Sequence, residues 1–175
     1  MDTSDPAPDP APDSAPDSAP DSAPDSAALA ARVHQALLAR GETVGCAESL
    51  TGGGLADLLS GTPGASATFV GSVTTYATRV KRDLLGVTAA QVVSADCASQ
   101  MATGVRDLLH VDWALSTTGV AGPDKQDDKP VGTVYVGVAG PTGVQVHRLS
   151  LDGGRAEIRQ QACRAALEAL ADELG

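Results

Sequence analysis

The chain has 175 residues and a mass of 17.5 kDa, the size of one ordinary domain. It carries 12 Lys+Arg against 22 Asp+Glu, a formal net charge of −10, and so offers no electrostatic footprint for nucleic acid. No apolar run approaches the roughly 20 residues of a membrane span, and the acidic, Pro-rich start lacks the basic and apolar regions of a secretory signal.

Residues 1–27 stand apart. They hold seven of the eleven prolines, seven aspartates and no Lys or Arg, and they repeat Ala-Pro-Asp-Ser between residues 11 and 26. Proline at every fourth position blocks helix and sheet ladders, and the aspartates repel one another. This predicts a disordered, extended and partly polyproline-like arm, a spacer or solubilising leader. Residues 28–175 then read as a single domain, in which 12 Lys+Arg meet 15 Asp+Glu. A body of this size buries roughly two-thirds of its unfolded surface. Its only aromatics are Phe69, Tyr76, Trp113 and Tyr135, so its core has to be built from Ala, Val and Leu. Cys46, Cys97 and Cys163 are widely spaced and odd in number. They read as small buried residues of a reducing compartment, with the cytoplasm as the expected location.

Along this body, Ser26 is placed to cap a helix over residues 27–40 that ends at Gly41. Leu29, Val33, Leu37 and Leu38 form its apolar stripe. Residues 43–47 read as a strand, which breaks at Ser49-Leu-Thr-Gly-Gly-Gly and restarts as a helix near Leu55–Leu59. Residues 68–76 form a second strand, rich in β-branched residues. Residues 78–85 form a short helix closed by Gly86. Ser94 caps a longer helix to about Leu109, with Cys97, Met101, Val105 and Leu108 on one face. Trp113–Thr118 is a third strand, ending in Gly119-Val-Ala-Gly-Pro and followed by a polar loop, Asp124–Lys129. Two more strands, 133–139 and 144–151, join through Gly140-Pro-Thr-Gly. Asp152-Gly-Gly-Arg leads into a closing helix from Ala156 to about Leu174. Helices fall between the early strands, and a run of strands follows. This order predicts an α/β fold, a three-layer α/β/α sandwich with a mixed, mainly parallel sheet of about five strands.

Three segments carry candidate chemistry. In Ala47-Glu-Ser49-Leu-Thr51-Gly52-Gly53-Gly54 a serine sits where a strand ends and a helix begins. The glycines let a ligand approach backbone N–H groups. Such a turn binds a phosphate, stabilises an oxyanion beside a serine nucleophile, or merely caps a helix. It is neither a Walker loop nor a Gly-x-Ser-x-Gly elbow. His34, His110 and His147 do not sit beside a loop with other candidate polar groups, and no His/Cys/Asp cluster has metal-ligand spacing. The remaining base is lysine. Tyr76-Ala-Thr-Arg-Val-Lys81 places a tyrosine at a strand end and a lysine in the next helix. There Lys81 is either one cation of a solvated face with Arg79 and Arg82, or a desolvated proton acceptor. Ser116-Thr-Thr118-Gly119-Val-Ala-Gly122-Pro follows the third strand and could meet the Ser49 loop at the same sheet edge, the usual place for ligands. Gly153-Gly-Arg155 has the form of a loop-to-helix anion site with an added cation, or of a plain surface charge.

Together these stretches resemble the C-terminal domain family of the competence/damage-inducible protein CinA. They are AESLTGGGLADLLSGTPGAS, FVGSVTTYATRVKRDLLGV, STTGVAGPD with KPVGTVYVGVA, and the DGGR start of the last helix. Stand-alone members are nicotinamide-nucleotide amidohydrolases. The resemblance implies hydrolysis of the carboxamide of nicotinamide mononucleotide to nicotinate mononucleotide and ammonia, with no metal and no cofactor. It implies Ser49 as nucleophile, with Tyr76 and Lys81. It puts the substrate on Thr51, Gly52, Gly53, Thr118, Gly119 and Arg155. Lys81, neutral, would take the Ser49 proton directly or through Tyr76. N–H groups near Thr51 and Gly52 would hold the oxyanion. Glycine-loop amides and Arg155 would hold the phosphate. A small-molecule substrate is the expected partner, not nucleic acid or membrane, and a homodimer is the commonest outcome for such domains. Two readings stand beside this one: a pyridine-nucleotide-binding module without catalysis, and an interaction protein of competence or repair. Two departures are visible. Leu50 stands where the family often has Cys. Lys125-Gln126 stands where it usually has Gly-Gly, in a loop about one residue shorter. The N-terminal nucleotide-processing domain of longer members has no counterpart in these residues.

Overall fold

A computed structural model describes residues 22–175, so the repeat arm read over residues 1–27 lies outside the described residues except at its end. There the chain departs from expectation. Helix α1 spans Ser22–Arg40. Ser26 therefore lies inside the helix and does not cap it, and the last Ala-Pro-Asp-Ser repeat is helical. Pro24 falls in the first turn, where a missing N–H has no intrahelical bond to lose.

Strand β1 (Val44–Glu48) is followed by α2 (Gly54–Ser60), a single 3₁₀ turn (Ala65–Ala67) and β2 (Phe69–Thr74). Then come α3 (Thr78–Leu85), α4 (Ala95–Leu109), β3 (Trp113–Gly119), β4 (Thr133–Gly140), β5 (Gly143–Ser150) and α5 (Arg155–Leu174). The predicted stops act as expected. Gly86 takes the left-handed conformation at φ 67° and closes α3, and Ser94 Oγ accepts the Cys97 N–H at the start of α4. At α5 the Gly154 N–H donates to the Glu157 carboxylate, so an acidic side chain occupies the first turn.

The five strands lie in the order β2-β1-β3-β4-β5. β1 is parallel to β2 and β3, while β4 is antiparallel to both its neighbours, so only β4 runs against the rest. The mixed, mainly parallel sheet read from the sequence is the one observed. One core packs α1, α2 and α5 on the sheet through Leu37, Leu55, Leu167 and Leu170, against Leu115, Val134 and Val136. The other packs α3 and α4 through Leu85, Met101 and Val105 against Ala47, Ala114 and Ala139. Ala47, Ala114, Ser116, Gly137 and Ala139 are small, which lets α4 lie close. A side chain on Gly137 would meet Ser116 Oγ at 2.6 Å and the Ala98 carbonyl oxygen at 2.8 Å.

Two expected core residues face outward: Leu38 is 48% and Leu108 41% exposed. Each lies 100° around the helix from a less exposed neighbour, buried Leu37 or half-buried Leu109, which takes the inward position. All three cysteines are buried and free, and burial pushes the Cys163 thiol up to about 12. Among the described residues no helix is long and apolar enough to cross a membrane.

The topology gives the molecule two unlike ends. β1, β2, β3 and β5 finish, and β4 begins, at one edge of the sheet, where the candidate segments emerge.

Candidate active site

Ser49 directly follows β1, and its N–H donates to the Thr117 carbonyl at 2.9 Å. Lys81 lies in the first turn of α3. Its neighbours Arg79 and Arg82 point to solvent, whereas Lys81 is 2% exposed and shares a face with buried Leu85. Its Nζ lies 2.9 Å from Ser49 Oγ and donates to the Thr75 carbonyl at 2.6 Å. The alternative of a solvated cation is thereby overturned for this residue. Burial lowers the Lys81 pKa below its ordinary value of 10.5, and the nearby Cys97 thiol works in the opposite direction. The cause is desolvation, not repulsion from Arg79 and Arg82.

Tyr76 follows β2 and is 59% exposed. It does not stand between Lys81 and Ser49, which meet directly. Its Oη accepts from Arg155 Nη2 at 2.6 Å, and Arg155 Nη1 donates to the Gly122 carbonyl at 2.5 Å. Arg155 thus ties the β2–α3 turn to the loop after β3. A cleft of about 120 Å³ lies among these groups, lined by Ser49, Tyr76, Lys81, Gly119, Gln126 and Arg155. No histidine lines it. Gly119 is required at the close of β3, because a Cβ there would meet the Thr133 carbonyl oxygen at 2.6 Å.

The glycine loop differs from expectation. Glu48, fully buried, aims its carboxylate back into the turn and accepts the N–H groups of Gly53, Leu55 and Ala56 at 2.9–3.1 Å. Ser72 Oγ donates to the same carboxylate. The amides that would cradle a phosphate at Gly53 are therefore occupied by the protein's own anion. Gly52 N–H turns back to the Ser49 carbonyl at 3.2 Å. That leaves the N–H groups of Leu50 and Thr51 without an acceptor among the described residues. Two hydroxyls are also engaged elsewhere. Thr118 Oγ1 donates to the Val92 carbonyl at 2.5 Å, and Thr51 Oγ1 is 2.7 Å from Thr117 Oγ1; both threonines are buried. Neither side chain lines the cleft, because each hydroxyl is turned to its buried partner.

The structure thus brings Ser49, Tyr76, Lys81, Gly119 and Arg155 together, and sets the side chains of Thr51 and Thr118 and the Gly53 amide apart. Glu48 and Arg159 are the residues that sequence reasoning missed. Arg159 Nη2 donates to the Thr51 carbonyl at 2.6 Å. Its spacing of four from Arg155 on α5 was the available signal. Of the two altered loop positions, Lys125 pairs with Asp128 at 3.9 Å on the surface, and Gln126 lines the cleft. The loop is pinned by Asp127, whose carboxylate accepts the Val93 N–H at 2.9 Å. Among the described residues no three His, Cys, Asp or Glu side chains converge to hold a metal.

Residues 26–174 match the family model described as the CinA C-terminal domain. A CinA-like protein of Acaryochloris marina is 46% identical over 154 residues, covering 83% of this chain and 37% of that protein. One from Frankia casuarinae is 47% identical over 137 residues, covering 75% and 32%. The chain therefore spans about a third of the length of these curated relatives. Among solved structures, a CinA superfamily protein from Klebsiella pneumoniae superposes with a TM-score of 0.82 at 34% identity, covering 85% of this chain and 97% of that one. A competence/damage inducible protein from Agrobacterium tumefaciens gives 0.81 at 37% identity, covering 86% and 95%.

Proposed function

The chain belongs to the CinA C-terminal domain family, and from that premise we propose that it is a serine amide hydrolase. Its substrate on this reading is nicotinamide mononucleotide, and its products are nicotinate mononucleotide and ammonia. The observation that carries the reading is the buried Lys81 Nζ, 2.9 Å from Ser49 Oγ at the floor of a cleft. A serine hydroxyl needs an adjacent base to become a nucleophile, and a lysine desolvated enough to be neutral is such a base.

Ser49 Oγ attacks the carboxamide carbon, and Lys81 takes the hydroxyl proton directly. Thr75 fixes the amine through its carbonyl. The oxyanion of the tetrahedral intermediate is held by the N–H groups of Leu50 and Thr51, each good donor worth about 3–4 kcal/mol of barrier. Lys81, now an ammonium, returns its proton to the leaving nitrogen, and the C–N bond breaks to release ammonia. Water, deprotonated by the same amine, then attacks the Ser49 ester and releases the acid. Arg155 orders the cleft wall by tying Tyr76 to Gly122, and adds positive charge there for an anionic substrate.

The test is ammonia release from nicotinamide mononucleotide by the purified chain and by Ser49→Ala, with chelator present. Release by the first and a loss of at least about a thousandfold in the second is the expected result. A second reading keeps the pocket and drops the chemistry. Gln126, a side chain in the cleft where the family usually has glycine, motivates it. Saturable nucleotide binding with no ammonia from either protein would select it.

A further inference from the structure

A second cavity lies on the far side of the Ser49 turn, between α2 and α5. Its volume is about 330 Å³. It is lined by Thr51, Gly54, Asp57, Ala156, Arg159 and Cys163, among others. The same turn borders both hollows: Thr51 lines this cavity, and Ser49 and Leu50 line the cleft. Gly52 is exposed, and a Cβ built there would lie 3.3 Å from Arg159 Nη2 and 4.0 Å from the Tyr76 ring. The route from one hollow to the other therefore passes over a residue with no side chain. Thr51 contributes to both sides: its N–H faces no protein acceptor, and its carbonyl holds Arg159.

The cations that could meet an anion here are few. The α2 amides are occupied by Glu48. Arg155 is tied through both terminal guanidinium nitrogens, to Gly122 and Tyr76. Arg159, one turn further along α5, is tied through Nη2 alone among the described residues. Its Nη1 and Nε, on opposite flanks of the guanidinium, each keep an N–H for a ligand, so a phosphate oxygen can take one charged hydrogen bond there. Asp57 is the one acidic side chain of the lining, and a carboxylate accepts the hydroxyls that a sugar carries.

We propose that this cavity is the distal half of the substrate site, where Arg159 binds the phosphate monoester of a sugar phosphate while Ser49 and Lys81 hold the amide across Gly52. The proposal rests on the hydrolase reading of Ser49, and its test is kept separate from that reading. Ribose 5-phosphate and ribose are titrated calorimetrically, in phosphate-free buffer, into the full chain, Arg159→Gln and Ala156→Leu. Ala156 is exposed and lines this cavity but not the Ser49 cleft, so the larger side chain narrows the cavity alone.

Ribose 5-phosphate binds the unaltered chain more tightly than ribose, and Arg159→Gln weakens it about tenfold to a hundredfold, the worth of a charged hydrogen bond. Arg159→Lys restores part of that affinity, and Ala156→Leu lowers it. In the ammonia assay Arg159→Gln raises KM for the nucleotide more than it lowers kcat, and raises KM for the nucleotide more than for the unphosphorylated nucleoside. Unchanged ribose 5-phosphate affinity in both folded variants, or no preference over ribose in the unaltered chain, would overturn the proposal. If Arg159→Gln does not fold, Ala156→Leu decides alone. Arg159-dependent binding without ammonia release sinks the hydrolase and leaves the cavity. Ammonia release with unmoved sugar-phosphate affinity does the reverse.

Discussion

Three cations share the first turns of α3, and only the middle one is buried. Lys81 faces the sheet with its charged form disfavoured, so its deprotonated form is populated at lower pH than for a lysine in water. The sign for activity follows. The rate rises with pH as Lys81 loses its proton, and the midpoint of that limb falls below 10.5. A kcat/KM limb with its midpoint at or above 10.5 would count against Lys81 as base. Glu48 acts differently, because it touches no cleft surface but accepts three N–H groups at the start of α2. Glu48→Ala strips acceptors from buried donors and costs roughly 2–5 kcal/mol in urea unfolding. Tyr76→Phe keeps ammonia release within about tenfold, since no phenol lies between Lys81 and Ser49. Lys81 was legible in the sequence from its place after a strand end. The Glu48 contacts were not, because a carboxylate folding back on its own chain leaves no period or spacing.

Elements were read best where local chemistry ends them. Gly86 and Ser94 bound α3 and α4 in the sequence and in the fold alike, because a left-handed turn and a hydroxyl cap are decided within four residues. The start of α1 was misread, because a proline that breaks a helix interior is harmless in a first turn. Which of two adjacent leucines turns inward in α1 and α4 depends on where the sheet lies, information held by distant residues. Helix α4 supplies a test in which propensity and packing disagree. Gly104→Ala favours the isolated helix by about 1 kcal/mol. Here its methyl would strike the Leu85 carbonyl oxygen and Cβ, so packing wins and the melting temperature falls.

At the scale of the whole molecule, α/β layering followed from the order of elements, and four of the five strands share one direction. Strand order did not follow, since nothing in a strand's own residues names its neighbour in the sheet. The family match begins at residue 26, so removing residues 1–21 leaves ammonia release and the urea midpoint unchanged, checked side by side with the full chain. The fold also has a quiet pole. α1 and α5 both finish at the end opposite the cleft, where the Arg40 guanidinium holds the Leu174 carbonyl, and the β4–β5 hairpin turns there at Pro141-Thr142. A dye, a surface tether or an inserted peptide at that hairpin would sit a full strand's length from Ser49. The molecule thus comes with a built-in handle, by which it can be held or watched while its other pole is left to the substrate.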